Sequence, residues 1–500
     1  MPINASVLYD HVTCPQRVAL DAFEDISLRD EINPFVKLLW EKGSLFERET
    51  VAKLSQSFLD LSSFEDDEKE RQTLEAVKRG EPLIYAGRIS SGDLIGLPTL
   101  LRKEGNGYAP GIIKSGAGEE GASDDDDGKP KVHYAVQLAL YIDVLERLGV
   151  SSGRHGFIWD IHENEVMYDF TQPRGPRTPG TLWDKYQEVL AGARAILIKD
   201  FIPQPAYASG ACKLCHWYTN CLKQLTDSDD LTLIPFLGRS IRDVMQPIIA
   251  TIAVFAASDP ESFINGKKTS FPGLGPDRLR QFHARAVLLK HPRPTPYLRG
   301  PITLGSASLE LFFDIEVDPM RDICYLHGIV ERRNGDNNSE RFISFFAEEE
   351  TAQAERAAFA QAFAYLTAHS DCVIYYYSKY ERTIYRKLQA KYPDVCNGED
   401  IERLFDPARS IDLYFDVVFP ATEWPTNDHS LKTLAKHLGF GWRDTHPSGA
   451  ASIEWYDRWC KERDIKIKQR ILEYNEDDCR ATRVLLDGVR SLAHLQATAA

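Results

Sequence analysis

Long apolar runs are missing from this chain. None of its 500 residues belongs to a stretch approaching the ~20 apolar residues that a membrane helix needs. The opening MPINASVLYDHVTCPQ has no basic segment followed by an apolar run, so no secretory signal is expected and a cytoplasmic location follows. Basic charge is not in excess either: 59 Lys and Arg against 74 Asp and Glu give a net charge of -15. A general polyanion binder would be basic. A nuclease is not excluded, because carboxylates that hold metal ions add negative charge while basic contacts can stay local. No Gly-x-x-x-x-Gly-Lys-Ser/Thr phosphate loop occurs, which removes an ATPase motor of that type, and no internal repeat is found. The nine cysteines are not expected to form a disulfide framework in a cytosolic chain. Five of them, Cys324, Cys372, Cys396, Cys460 and Cys479, are scattered.

Five hundred residues, 43% of them hydrophobic, suffice for two or three cores of ordinary size. The chain reads as α/β, divided into residues 1–228, a helical connector over 229–300, and residues 301–500. Residues 1–60 read as helical, 93–115 as a β-hairpin turning at EGNG, and AGEEGASDDDDGKPK as a solvated acidic loop. Helical spacing in HYAVQLALYIDVLERLG and TLWDKYQEVLAGARAILI flanks the strand-like GFIWDIHENEVMYDF. From about residue 301, SLELFFDIEV, ICYLHGIVERR and ERFISFFA read as three meandering strands. A helix, the strand DCVIYYYS, a further helix, a strand at SIDLYFDVV and a long terminal helix follow, which predicts a mixed sheet flanked by helices.

Three pieces of this last region carry acids. Asp314 and Glu316 sit two apart in an apolar strand, hence on one face and roughly 6.5–7 Å apart. Such a pair suits two divalent cations ~3.5–4 Å apart, and hard oxygen ligands favour magnesium or manganese. Tyr474 and Asp478 are four apart in the terminal helix and share a face. A phenol titrating near ~10 is a poor base but can orient water. Asp477, on another face, is expected at the surface. Glu381 opens the helix after DCVIYYYS. By themselves, Tyr474–Asp478 could be an ordinary acidic helix face and Glu381 a helix-dipole acid. Asp412 is a weaker candidate, supporting the site from behind.

In this order, the acids resemble the DEDD exonuclease superfamily in its Tyr variant, which has the ribonuclease H-like fold. The resemblance covers about residues 305–490. YLHGIV, YSKYERT, SLKTLAKHLGF, WRDTHPSGAAS and YNEDDCRAT resemble, more closely, the ribonuclease H-like domain at the end of certain RecB-like nucleases. It implies two-metal phosphodiester hydrolysis, usually from a 3′ end, with Asp314, Glu316, Glu381 and Asp478 as ligands and Tyr474 beside them. One departure stands out: Tyr377 and Glu381 occupy places usually held by Asn and Asp.

Cys14 and the C-x2-C-x5-C set Cys212, Cys215 and Cys221 supply four thiolates, the right number for a 4Fe–4S cluster or a structural zinc. Unligated thiols are the third reading. The spacing, with ASVLYDHVTCPQRVAL, resembles the iron–sulfur staple of AddB-type and related RecB-family nucleases, which implies a 4Fe–4S cluster and a PD-(D/E)XK-like domain. Such a domain needs an acid in an early helix, a Gly-x-x-Asp strand, an Asp/Glu-x-Lys strand and a Gln-x-x-x-Tyr helix. Glu47, Lys114, Gln137 and Tyr141 fit, but Thr99 and Ile112 stand where the two metal-binding acids belong. The expectation is a retained fold with a degenerate hydrolytic site; an active one would need Asp93 or Glu104 to move in.

The connector segment FPGLGPDRLRQFHARA resembles a helix–hairpin–helix turn. Gly273 and Gly275 would let backbone N–H groups approach a phosphate, with Arg278, Arg280 and Arg285 adding charge. A Gly/Pro turn between packed helices is the competing reading. The chain as a whole is expected to be a metal-dependent exonuclease on nucleic acid, DNA ahead of RNA, with a helicase or DNA-repair partner and no membrane. The alternative is a catalytically degenerate nucleic-acid-binding or accessory protein on an iron–sulfur scaffold.

Overall fold

The computed structural model describes residues 1–120, 128–175, 178–369, 371–445 and 447–499. The chain forms two compact units, one of residues 1–205 and 210–221, the other of 206–209 and 222–500. No helix of the described residues is long and apolar enough to cross a membrane.

The first unit opens with three helices, α1 (Ala5–Thr13), α2 (Pro15–Phe23) and α3 (Pro34–Ala52). Its sheet has six strands in sequential order: β1 (Leu59–Asp60), β2 (Leu83–Tyr85), β3 (Leu100–Glu104), β4 (Gly107–Ile113), β5 (His155–Trp159) and β6 (Glu165–Asp169). The pairs β1/β2 and β4/β5 are parallel and the others antiparallel. The expected hairpin is β3–β4, turning at Gly105 with φ 56°. Gly111 faces Phe157 across β4/β5, and a Cβ there would lie 2.3 Å from the ring. The helix α4 (Val132–Arg147) is buried without a break from Ala135 to Leu145, and α5 (Leu182–Leu197) covers it. Of the acidic loop, Glu119–Glu120 and Lys129–Pro130 pair as two short strands; residues 121–127 lie outside the described residues.

The second unit begins with a small core around Leu231, Met245, Phe255 and Phe282, closed by α6 (Pro276–Lys290). Its main sheet runs β9-β8-β7-β10-β11, where β7 is Leu309–Asp318, β8 Ile323–Arg333, β9 Asp336–Phe346, β10 Cys372–Tyr376 and β11 Ser410–Asp412. The meander β7–β8–β9 is antiparallel, and β10 and β11 join parallel. This is the mixed α/β sheet that the apolar pattern implied. Alternation on β7 divides the core. Leu311 and Phe313 pack with α7 (Ala352–Ala368) and α8 (Tyr380–Lys391), while Phe312 packs with α9 (Leu431–His437) and α11 (Ile465–Ala499). A further helix, α10 (Gly449–Glu462), lies against α11 and β7.

One expected strand is cut short. SIDLYFDVV is extended only to Asp412, whose carboxylate accepts the N–H groups of Tyr414 and Phe415 and so turns Leu413–Val418 into a π-helix. Asp412 also accepts the Ser378 N–H at 2.9 Å, holding that residue at φ 99° just before α8. Asp412 is therefore a cap for two backbone turns.

Candidate metal centre

Alternation on β7 carries Asp314 and Glu316 to the face covered by α11, where the helix presents Asp478. Carboxylate oxygens of these three residues all lie within 4.8 Å of one another. Glu316 and Asp478 are buried and Asp314 is half-buried. Asn475, one turn before Cys479, donates its amide to Asp314 Oδ2 at 2.7 Å. Tyr325 stands beyond Glu316, with its hydroxyl 3.4 Å from Glu316 Oε2 and 2.7 Å from Ser452 Oγ.

Gathering these acids out of water is costly. Burial, then the charges of Asp478, Glu316 and Glu381, hold the Asp314 carboxyl well above its ordinary value. Burial and the Asp478 charge push Glu316 up to about 8. Glu381, in the first turn of α8, is fully buried, and its Oε2 has no hydrogen-bond partner. Its charge reaches Asp314, but its oxygens are not part of the 4.8 Å cluster. A buried carboxylate with one unpartnered oxygen, beside three crowded ones, fits a centre completed by cations.

Residues 311–489 match the RNase_H superfamily model. No curated protein matches the chain. An RNase_H-superfamily domain points to nuclease-type, nucleic-acid-cleaving hydrolysis, and such domains generally use divalent metals.

Within the RNase_H-superfamily domain, two groups that no acidic motif marks stand at these carboxylates. Lys432, on α9, places Nζ 3.0 Å from both Asp478 oxygens and 2.9 Å from the Tyr474 hydroxyl. Trp442 Nε1 donates to Asp478 Oδ1 at 2.7 Å. They lie in SLKTLAKHLGF and WRDTHPSGAAS, so the only signal was a family-like segment and not a recognisable ligand type. Tyr474 is buried, and its phenol is held well above its ordinary value by burial and by the charges of Asp478, Glu316 and Asp314. It stays neutral and can donate a hydrogen bond, but it is a poorer base than a free phenol.

Asp477 is corrected from surface to core. It is 4% exposed and accepts the Arg443 backbone N–H at 2.8 Å and its guanidinium Nε at 2.9 Å. A helix this close to a sheet buries more than one face. Tyr377, in the place usually held by Asn, donates its hydroxyl to the His429 carbonyl.

Gly328 lies directly across β7/β8 from Asp314, and a Cβ there would meet Asn475 Oδ1 at 1.6 Å. Gly328→Ala is expected to expel the Asn475 amide and destabilise the domain by about 1–3 kcal/mol, the usual range for overpacking. Denaturant unfolding read by tryptophan fluorescence measures it, and an unchanged midpoint would refute the close approach.

In the first unit, Lys114 Nζ donates to Gln137 Oε1 at 3.1 Å, and Glu47 accepts the Tyr85 hydroxyl at 3.1 Å. Burial lowers the Lys114 amine, and the Glu47 charge opposes this. Burial and the same Glu47 charge raise the Tyr141 phenol, so Glu47, Lys114, Gln137 and Tyr141 share one neighbourhood. Ile112 is buried in the core, and the Thr99 carbonyl accepts the Ala86 N–H at 2.9 Å. Asp93 is bound to Arg194 at 2.8 Å, and Glu104 to Arg102 and His155 at 3.0 and 2.6 Å.

Cys14 separates α1 from α2. The Cys215 thiol is pushed up by burial and further by the charges of Cys14 and Cys212. Cys221 lies in the helix Tyr218–Asp227, its N–H on the Trp217 carbonyl at 2.9 Å. Asp21 on α2 binds this segment, accepting from Trp217 Nε1 at 2.9 Å and lying 2.8 Å from His216 Nε2.

At the connector turn, Gly273 has φ 78° and Gly275 caps α6. Arg278 lies over the Phe282 ring, and Arg280 pairs with Glu261 at 2.6 Å and Asp277 at 3.1 Å. Arg285 is corrected: it is buried against Glu423 at 2.7 Å and cannot meet a phosphate.

Proposed function

We propose that the chain is a metal-dependent nuclease, a 3′–5′ exonuclease of the DEDD type acting on DNA. The observation that carries this reading is the buried cluster Asp314, Glu316 and Asp478, with its mutual repulsion and the partnerless Glu381 oxygen nearby. Asp314, Glu316, Asp478 and Glu381 would hold two magnesium or manganese ions. When bound, such ions polarise the scissile phosphate and lower the pKa of water. Tyr474, kept neutral and hydrogen-bonded to Asp478, would hold that carboxylate and place its hydroxyl oxygen beside the attacking water. Lys432 fixes Tyr474 and Asp478 relative to each other, and Trp442, beside Lys432, donates to Asp478 Oδ1 as well.

In this reading residues 1–228 keep a PD-(D/E)XK-like fold without its hydrolytic acids and grip nucleic acid. The connector over 229–300 adds Gly273, Gly275, Arg278 and Arg280 as backbone-phosphate contacts, and residues 301–500 cut. Cys14, Cys212, Cys215 and Cys221 would hold a 4Fe–4S cluster as a structural staple, closing a loop of nearly the whole first unit. Purified protein is then expected to be brown and to carry iron, and Cys215→Ala to lose both colour and stability. Zinc in place of iron on elemental analysis would replace this assignment. The hydrolase is tested by incubating labelled single strands with manganese and either wild type or Asp314→Ala. Equal cleavage by both would move the chemistry away from this centre.

A further inference from the structure

The π-helix that replaces the expected strand has an outward side that the acidic centre does not use. Leu413, Val417 and Val418 turn inward, which leaves Phe415 and Phe419, four residues apart, 39% and 47% exposed. Their ring centroids are 6.5 Å apart, and Phe236 extends the row at 5.9 Å from Phe419. Phe236 is itself 46% exposed and held at φ 66°, a costly conformation for a bulky residue. At the other end Lys379 Nζ stands 4.3 Å over the Phe415 ring. The next residue, Tyr380, is 47% exposed and immediately precedes Glu381 in the first turn of α8. Among the described residues of this unit, four of the five exposed aromatic side chains belong to this row. The fifth, Tyr297, lies across a two-stranded pairing from Glu423, four residues beyond Phe419.

Such a row is not a core, because its aromatic side chains are 39–47% exposed, although Arg285 already lies over the Phe236 ring at 5.0 Å. The row carries a cation, Lys379, at one end; Arg299, bound to the Phe419 carbonyl at 2.6 Å, is already paired with Glu423 at 3.0 Å. The one exposed acid in the π-helix, Asp416, turns back onto the Asp412 N–H at 3.0 Å. Exposed rings with a cation at one end, joined to Glu381 through Tyr380, suit unpaired bases and their backbone. A duplex keeps its base faces stacked and offers nothing to these rings.

We propose that Phe236, Phe419, Phe415, Lys379 and Tyr380 form a stacking ledge that leads a single nucleic-acid strand to the carboxylates. This rests on the nuclease reading for its direction and adds the substrate class: an unpaired strand several nucleotides long.

The test uses the full chain with manganese and two substrates, a labelled 20-nucleotide oligo-dT and the p-nitrophenyl ester of thymidine 5′-monophosphate. The small ester needs the centre but cannot span the ledge. Phe415→Ala and Phe419→Ala are each expected to raise KM for oligo-dT about tenfold, the scale of one lost base stack. Ester hydrolysis should be unchanged, which also shows that the variants fold, and Phe415→Trp should restore KM. Unchanged KM for oligo-dT while wild type hydrolyses the ester overturns the ledge and leaves the nuclease intact. If wild type cleaves neither substrate, the nuclease reading fails, and oligo-dT binding in EDTA decides the ledge alone. Binding weakened by the alanine variants supports it; binding that is absent or unaffected overturns it. A co-purifying protein lost from the variants, with oligo-dT binding unaltered, makes the row a protein contact and also overturns it.

Discussion

Asp314→Asn is expected to lower metal-dependent cleavage at least about a thousandfold while leaving the domain folded. The carboxylate lies within 4.8 Å of Glu316 and Asp478 and would be shared between cations. Losing it removes several kcal/mol of charge stabilisation, and each 1.4 kcal/mol is about tenfold in rate. The substitution is nearly isosteric, so Asn475 can still meet an oxygen at position 314. The same change relieves a repulsive cluster, so without metal Asp314→Asn should melt higher than wild type. Centres that store charge for function are commonly less stable than their disarmed variants. Comparable activity in wild type and variant would remove Asp314 from the chemistry. A lower melting point in EDTA would show that the acids are not in conflict.

The second large effect is a stability that runs against pH when metal is withheld. Glu316 titrates at about 8 in the folded chain against an ordinary 4.5, and Asp314 and Glu381 are also raised. Between those values the folded state holds protons that the unfolded chain has released. Stability must therefore fall as pH rises through this window. A carboxyl displaced by one pH unit on folding changes stability by about 1.4 kcal/mol, so the loss is on the order of a few kcal/mol. Manganese at a hundred times its Kd should return about 2.7 kcal/mol, and more effectively at pH 8 than at pH 5, because metal and proton compete for the same oxygens. Thermal unfolding at pH 5, 6, 7 and 8, in EDTA and in manganese, measures both trends. A melting point in EDTA that climbs from pH 5 to pH 8, or a slope that Asp314→Asn does not flatten, would refute the account.

The sheet was legible because β7 and β8 are long, apolar and of unmistakable period, and Asp314 and Glu316 interrupt that pattern at one face. Asp478 could be placed only through its spacing from Tyr474, since an acidic helix turn is common. What escaped were residues whose meaning depends on distant partners. Lys432 reads as an ordinary surface lysine until α9 sets it on Asp478. Asp477 reads as solvated until Arg443 arrives from a loop thirty-four residues upstream. Arg285 misled in the same way, since local chemistry suggested a phosphate contact and long-range packing used it as a structural tie to Glu423. In SIDLYFDVV, apolar and aromatic residues favour a strand, but the side-chain cap at Asp412 wins over that propensity.

One turn of α11 performs four unrelated tasks. Tyr474 faces Lys432, Asn475 faces Asp314, Asp477 pins Arg443 and Asp478 joins the acids. Each residue advances a helix by about 100°. A single insertion ahead of this turn would therefore rotate each side chain into its neighbour's post, a phenol where the amide belongs and an anchor where the ligand belongs. The terminal helix should tolerate changes of side chain far better than changes of phase.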